Sequence, residues 1–197
     1  MAKDNLNKVF LSASIPYPDR DKKFYDTADI VSIRDAVRAL ATVVIPQAHL
    51  VWGGHPSITP LIRFVMGRMN ADLKKHITLY QSLFFEDNFP PDNFAFENIV
   101  LTERRSNRDE SLELMRNMLI NDNDFKVGIF IGGMEGINNE YELFRKKHSD
   151  VLILPIASTG AAAKIIFETN PQQYDNRLLY DYAYMSMFRT LLSNILH

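Results

Sequence analysis

Glycine and hydroxyl residues recur at four places where a short apolar run of the sequence ends. These segments are residues 12–16, 53–57, 132–136 and 157–160. Because their side chains are small or absent, backbone N–H groups can approach an anion closely, and the start of a following helix favours negative charge. The pattern predicts a phosphate or nucleotide cradle. Its candidate ligand residues are Ser12, Ser14, Gly53, Gly54, His55, Gly132, Gly133, Met134, Gly136, Ser158 and Thr159.

Two carboxylates accompany the third segment. Glu135 stands between glycines at the corner, where a charge has no evident structural purpose, and we expect it to bind ribose hydroxyls as acidic residues do in Rossmann sites. Glu140 lies in the helix predicted after this corner. A carboxylate there can complement the helix dipole or accept a hydrogen bond from a ribose hydroxyl. In an enzyme, Glu140 would instead stabilise the oxocarbenium-like centre of N-glycosidic cleavage.

An anionic ligand also needs a cationic partner. Arg104 and Arg105 follow the fourth predicted strand, Arg108 begins the next helix, and Lys164 lies in the first turns of the helix after residue 160. Most exposed arginines contact only solvent, so a basic residue by itself does not indicate a ligand contact. Arg105 and Lys164 are the preferred candidates because they adjoin predicted ligand corners. If the chain is an enzyme, its candidate catalytic residues are Glu140 and Arg105.

Several kinds of site are excluded by what the sequence lacks. Without cysteine it has neither disulfides nor thiolate metal sites. The Gly-x-Gly-x-x-Gly fingerprint and the Walker loop are absent, which argues against an ordinary dehydrogenase or P-loop ATPase. Ser12 and Ser14 have no visible histidine and acid partners that would make them nucleophiles. No metal site and no cofactor are expected, since five histidines show no ligand spacing: His49, His55, His76, His148 and His197.

Strands alternate with helices along the chain. Apolar, β-branched runs predict strands at 9–14, 49–52, 77–80, 99–102, 127–131 and 151–154. Three- and four-residue spacing of apolar side chains predicts helices over 30–44, 59–69, 109–120, 138–147, from about 160, and over 176–196. Because the strands are too apolar to have a solvated face, we predict an α/β, Rossmann-like fold with a mostly parallel sheet and helices on both faces.

Two segments stand apart from this alternation. The aromatic, proline-containing stretch 84–96 is predicted to be a long loop. The terminal helix over 176–196 carries tyrosine, methionine and phenylalanine on more than one side, so one face can cover the sheet and another a partner subunit. A homo-oligomer is therefore expected, with a large hydrophobic core as the simpler alternative.

Composition limits the partners and the location. With 22 Lys and Arg against 24 Asp and Glu, the formal charge is −2, which disfavours a nucleic-acid partner bound by bulk electrostatics. The first residues lack an apolar signal core and no stretch resembles a membrane span, so a cytoplasmic protein is expected. No linker or internal repeat divides the chain, which predicts one ligand-binding domain over residues 1–197.

Three of the predicted corners resemble the SLOG superfamily. This superfamily joins the lonely-guy cytokinin-activating enzymes, the DprA-type DNA-binding proteins and ligand-sensing domains attached to bacterial defence effectors. The resemblance covers roughly residues 8–168 and is carried by residues 10–14, 52–54 and 129–140. The lonely-guy enzymes have Pro-Gly-Gly-x-Gly-Thr-x-x-Glu; here the matching residues are Gly132, Gly133, Gly136 and Glu140.

This sequence departs from the enzyme pattern at three points. Ile131 replaces the proline, Met134 and Glu135 stand where the enzymes have one residue, and Ile137 replaces the threonine. The resemblance is therefore stronger to the sensor branch, which implies binding of nucleotide-derived messengers such as cyclic ADP-ribose-type molecules. The expected function is a ligand sensor in defence or stress signalling, with an effector protein encoded separately. An N-glycosidic hydrolase acting on nucleotides is the alternative, and a DprA-like nucleic-acid role is disfavoured.

Overall fold

Parallel strands in a single sheet form the centre of the protein. The computed structural model describes residues 6–196, and its strands are β1 (Lys8–Ser14), β2 (His49–Gly53), β3 (Ile77–Ser82), β4 (Ile99–Thr102), β5 (Phe125–Gly132) and β6 (Leu152–Ile156). All neighbouring strands in these residues pair in parallel, in the order β4-β3-β2-β1-β5-β6. The predicted Rossmann-like α/β fold is confirmed.

Helices cover both faces of the sheet. They are α1 (Lys22–Tyr25), α2 (Ile30–Val44), α3 (Thr59–Met66), α4 (Arg108–Asn121), α5 (Glu135–Lys147), α6 (Ala161–Thr169), α7 (Arg177–Tyr180) and α8 (Tyr184–Leu191). The apolar residues of α2, α3 and α8 pack on one face, and those of α4 and α5 pack on the other. The two faces therefore have separate hydrophobic cores.

The strands are continuously apolar because successive side chains enter these two cores in turn. In β1, Val9 and Leu11 pack with α2, whereas Phe10 packs on the opposite face. The Phe10 ring stacks on Phe144 of α5 with centroids 5.1 Å apart. All three β1 side chains are essentially inaccessible to solvent. A polar residue at any of them would be buried, which explains the absence of hydrophobic-polar alternation.

The prediction of one terminal helix over 176–196 is wrong. The chain forms two short helices, α7 and α8, because Asp181 between them has an extended backbone with φ −93° and ψ 124°. The Asp181 carboxylate accepts a hydrogen bond from the backbone N–H two residues later at 2.7 Å, which fixes the turn. Tyr180 and Tyr182 are consequently 74% and 60% exposed, whereas Met187 is buried.

The stretch predicted as a loop at 84–96 is more ordered than expected. It forms two 3-10 helices, Leu83–Asn88 and Pro91–Ala95, which connect β3 to β4. Arg104 holds the first of them, since its guanidinium donates a hydrogen bond to the Phe84 carbonyl at 3.2 Å and lies 5.5 Å from the centroid of the Phe84 ring. Arg104 thus has a structural role at this edge of the sheet.

A shallow groove of about 650 Å³ separates α2, α3 and α8. Its apolar lining includes Phe64, Met69, Tyr182 and Met185. This is the surface where exposed aromatic and methionine side chains of the terminal region collect. A partner subunit at this surface stays a prediction.

Two expectations from the sequence concern the ends of the chain. Residues 1–5 and His197 lie outside the described residues, so the absence of a leader and the place of this histidine are not addressed by the structure. Between residues 6 and 196, no helix has the length and apolar character that crossing a membrane requires.

Candidate functional site

The strand order reverses at β1, which has β2 on one side and β5 on the other. Ligands of open parallel sheets bind at such a point, beyond the carboxyl ends of the strands. A cleft of about 1050 Å³ lies here. The structure brings three of the four predicted corners together around it, and their lining residues are Ser12, Ser14, Gly53, Gly54, His55, Met134, Glu135, Gly136 and Glu140.

Gly132 and Gly133 shape the corner behind the cleft without lining it. Their φ angles are +58° and +86°, a region in which other residues are strained. The Gly132 N–H donates to Thr159 Oγ1 at 2.9 Å, and the Gly133 N–H donates to the Ser14 carbonyl at 2.8 Å. Because the protein itself uses both N–H groups, the expected direct contact of these glycines with phosphate is not favoured.

The N–H groups of this corner that have no protein acceptor belong to the next residues in the chain, at the start of α5. No acceptor within residues 6–196 binds the backbone N–H of Met134, Glu135 or Gly136, and all three residues line the cleft. The first turn of a helix leaves such donors unpaired and carries the positive end of the helix dipole. An anion in the cleft can therefore be bound here.

Ser12, Glu140 and Arg116 form a hydrogen-bonded group on the wall of the cleft. The Ser12 hydroxyl donates to Glu140 Oε2 at 2.5 Å, and Arg116 Nε donates to Glu140 Oε1 at 3.2 Å. The Glu140 and Arg116 side chains are only 14% and 18% exposed, so solvent screens this pair weakly. A Cβ on Gly136 would lie 3.0 Å from the Arg116 guanidinium, so a larger residue at this position would displace the end of that side chain.

The fourth predicted corner serves the fold. Ser158 is hydrogen-bonded to the Tyr184 hydroxyl at 3.1 Å, and Thr159 donates to the Ile156 carbonyl at 2.5 Å while accepting from Gly132. Neither hydroxyl lines the cleft. The corner is instead the support that keeps the Gly132 turn in place.

The preferred cationic candidates also lie outside the cleft. Arg105 pairs with Glu103 at 3.5 Å on the surface, and Lys164 pairs with Glu168 one helical turn away at 3.7 Å. Arg108 does line the cleft, where it pairs with Asp109 at 3.1 Å. A role for Arg105 in the enzymatic alternative therefore has no geometric support, and Arg116 is the arginine beside Glu140.

Charges in the cleft are predominantly acidic. Its three arginines face five carboxylates, and these residues are Arg20, Arg108, Arg116, Asp21, Asp109, Glu113, Glu135 and Glu140. Within residues 6–196, no group of three or more histidine, aspartate and glutamate side chains is arranged to hold a metal ion. The cleft is thus suited to a ligand that presents hydroxyls as well as negative charge.

His55 is a neutral hydrogen-bond donor at the edge of the cleft. Burial lowers the pKa of His55 to about 4, so its imidazole is uncharged near pH 7. The Ser57 backbone N–H donates to His55 Nδ1 at 3.3 Å, and Ser57 Oγ lies 2.8 Å from the same nitrogen. With Nδ1 accepting, the proton resides on Nε2, which can donate to a ligand.

The lowered pKa of His55 predicts a defined acid sensitivity. Above pH 6.5 the imidazole is neutral in both the folded and the unfolded chain, whereas between pH 6.5 and about 4 the unfolded chain binds more protons. The folded state is therefore destabilised as the pH falls through this window, by on the order of 3 kcal/mol in full. Urea unfolding at a series of pH values should show a flatter pH dependence for His55→Gln than for the parent.

His49 is a control that separates the effect of a buried histidine on stability from an effect on ligand binding. It lies at the opposite end of β2, and burial, followed by Lys8 and His76, lowers the pKa of His49 to about 4 as well. His49→Gln should flatten the pH profile similarly without changing ligand binding. An unchanged profile for His55→Gln would show that His55 titrates near its ordinary pKa.

Sequence reasoning missed several residues that line the cleft, above all Arg116. A signal for it existed: Arg116 follows Leu112 by four residues and precedes Leu119 by three, so it interrupts the apolar stripe of α4. A charged residue in such a stripe faces the protein and needs a partner. Gln81, Phe85 and the segment that carries them gave no comparable pattern.

Comparison with known proteins agrees with this architecture. A solved structure similar to this chain is the X-ray structure of TM1055, a Northeast Structural Genomics Consortium target. The two are 13% identical, the match covers 94% of this chain and 99% of that chain, and the TM-score is 0.59, which shows the shared fold. Among curated proteins, none matches the chain.

A family model provides the assignment. The model of the SLOG cluster3 family matches residues 23–192, which include α2, the start of α5 and α8. The match spans most of the chain and every strand after β1. Membership supports a nucleotide-related Rossmann-like domain. The chain belongs to the SLOG cluster 3 family.

Proposed function

We propose that this protein binds a nucleotide-derived, phosphate-bearing ligand in the cleft and acts as a sensor domain in bacterial defence or stress signalling. The observation that carries the proposal is the meeting, at the strand-order reversal, of unpaired N–H groups at the start of α5 with the Ser12–Glu140–Arg116 group. The first suits a phosphate and the second suits a ribose. A cyclic ADP-ribose-type molecule has both chemical features.

The phosphate is assigned to the start of α5. The N–H groups of Met134, Glu135 and Gly136 supply several donors, and the helix dipole adds a favourable field. Arg20, which lines the cleft just before α1, is a further cation in the same cleft. Since carboxylates outnumber arginines in the cleft, the proposal favours one or two phosphates over a longer polyphosphate.

The ribose is assigned to Ser12 and Glu140. Because the Ser12 proton is already donated to Glu140, both side chains have lone pairs available to accept from sugar hydroxyls. Arg116 donates to the other carboxylate oxygen and so keeps the Glu140 side chain in place. Glu135, exposed on the same side of the cleft, supplies a further acceptor.

A thermal-shift screen tests the proposal. The full chain is heated with AMP, ADP-ribose and cyclic ADP-ribose, with adenosine and ribose as controls that lack phosphate. A ligand at about 100 times its dissociation constant adds about 2.7 kcal/mol to the free energy of unfolding, which such an assay resolves. Larger shifts with the phosphate-bearing compounds than with the two controls are expected. Absence of a shift with every phosphate-bearing compound would overturn the proposal.

An N-glycosidic hydrolase is the second candidate. The observation that favours it is the largely buried Glu140 carboxylate, which is positioned by two hydrogen bonds and can stabilise an oxocarbenium-like centre. Chromatography of the ligand after incubation separates the two functions. Release of free base, lost in Glu140→Gln, would identify the enzyme, whereas recovery of intact ligand would identify the sensor.

Glu135→Ala should weaken ligand binding without damaging the fold. The side chain makes no hydrogen bond within residues 6–196, its electrostatic interaction is with the exposed Lys23, and the helix start remains when it is shortened. Removing one charge-assisted acceptor is expected to cost about 1.5 to 3 kcal/mol of binding free energy, measured by calorimetric titration. Glu142→Ala, in the same helix but outside the cleft, is the control. An affinity for Glu135→Ala within about 0.5 kcal/mol of the parent would remove Glu135 from the site.

A further inference from the structure

Gln81 is a buried side chain of the cleft that the proposed ligand contacts have not used. It lies near the carboxyl end of β3, is only 5% exposed and lines the cleft. Its amide makes no hydrogen bond to any residue of the described chain 6–196. The amide therefore presents two N–H donors and a carbonyl acceptor to the cleft that no protein group among the described residues uses. Such a group at the wall of a ligand cleft indicates a partner in the ligand.

The neighbouring backbone fixes the position of this amide. A Cβ on Gly54 would lie 2.6 Å from Gln81 Cδ, so the amide occupies the space that a side chain at Gly54 would take. The Gly54 N–H donates to the Tyr80 carbonyl at 2.8 Å, which ties the second corner to β3. The absence of a side chain at Gly54 thus has a specific cause: it makes room for the Gln81 amide.

Aromatic side chains stand on the same side of the cleft. Phe85 lies in the 3-10 helix that follows β3, Phe89 directly follows that helix, and both line the same cleft as Gln81. On the second corner, the His55 and Tyr17 rings lie with centroids 6.3 Å apart. Planar heterocycles stack on rings of this kind. The unpaired backbone N–H groups of the cleft, by contrast, lie at the start of α5.

We propose that Gln81 is the residue that recognises the base of the ligand, and that the base is an adenine-type heterocycle with a hydrogen-bond donor and an acceptor side by side. A glutamine amide pairs with the adenine N6 amino group and N7 through two hydrogen bonds. Phe85 and Phe89 flank that base, while its phosphoribosyl part extends toward Ser12 and α5. The inference rests on the proposed function, because it names the base of the ligand assigned to the same cleft.

The experiment compares two ligands that differ only in the donor. AMP carries the 6-amino group, and purine riboside 5′-monophosphate has hydrogen in its place. Calorimetric titration of the parent should show a preference for AMP of about 10-fold or more. Gln81→Met has similar volume without hydrogen-bonding groups, and it should reduce the preference to less than about 2-fold. Because Gln81 makes no hydrogen bond within residues 6–196, replacing it by an apolar side chain of similar volume should leave the fold intact, which urea unfolding checks.

Two controls separate failure of this inference from failure of the proposed function. Ribose 5-phosphate, which has no base, should bind parent and Gln81→Met equally, and Gln47→Met, whose glutamine lies outside the cleft, should keep the preference for AMP. If AMP and ribose 5-phosphate bind but Gln81→Met retains the preference, the assignment of Gln81 is overturned and the cleft function stands. If no phosphate-bearing compound binds the parent, both proposals are overturned.

Discussion

Gly133→Val should destabilise the folded protein by about 3 kcal/mol or more and abolish ligand binding. The backbone of Gly133 has φ +86°, which a β-branched residue adopts only under strain, and an added Cβ would collide with the Ile137 side chain in the first turn of α5. Overpacking of this kind adds to the backbone strain. The N–H groups proposed for phosphate follow directly and would be displaced together with the corner.

Denaturant unfolding of Gly133→Val beside Gly67→Val provides the comparison. Gly67 ends α3 with φ −62°, and a Cβ there meets only ordinary contacts at 3.5 Å or more. We therefore expect the Gly67 variant to unfold within about 1 kcal/mol of the parent. Equal stability of the two variants would mean that the corner tolerates a side chain and that its geometry is not required.

Arg116→Met and Glu140→Gln should each reduce ligand affinity by about 10- to 100-fold, and their effects should not add. The two side chains share one hydrogen bond in a weakly solvated wall of the cleft, so removal of either leaves the other misplaced. Contacting residues of this kind typically couple by about 0.5 to 3 kcal/mol in a double-mutant cycle. The cycle is measured by calorimetric titration with the nucleotide that the thermal-shift screen identifies.

Arg105→Met is the control for this cycle. Arg105 lies on the surface and pairs with Glu103, outside the cleft. Its replacement should leave affinity unchanged, although sequence reasoning preferred this arginine. Additive effects of Arg116→Met and Glu140→Gln would contradict the shared role, and a loss of affinity in Arg105→Met would restore the original choice.

Periodicity predicted the six strands, and the longer helices between them, in the correct order along the chain. Runs such as Val9-Phe10-Leu11 are buried on both faces, so their apolar character follows directly from the parallel sheet. Parallel strands also bring their carboxyl ends to one edge, which is why three separate corners could be expected to meet. The break at Asp181 was not predictable in this way, because it depends on one side chain accepting a hydrogen bond from its own turn.

The individual residues of the site were harder to predict than the edge of the sheet at which the site lies. Thr159 and Arg105 stand beside predicted corners, yet they satisfy hydrogen bonds and charges of the protein itself. Conversely, Arg116 and Gln81 come from the middle of a helix and the end of a strand, where only the packing of neighbouring elements determines that they face the cleft. Proximity in sequence to a corner indicates little about side-chain direction.

The central position of β1 has a consequence for how the protein acquires its structure during synthesis. Of the six strands of this sheet, β1 is synthesised first, and it pairs with β2 on one side, but its other partner is much later in the chain, since Lys8 pairs with Phe125. Such distant pairing closes a long loop and slows folding. We therefore expect β1 to β4 to associate first, exposing one edge of β1 until β5 has been synthesised. Because Ser12 lies on that edge and Glu140 follows β5, the cleft is assembled among the last features of the fold.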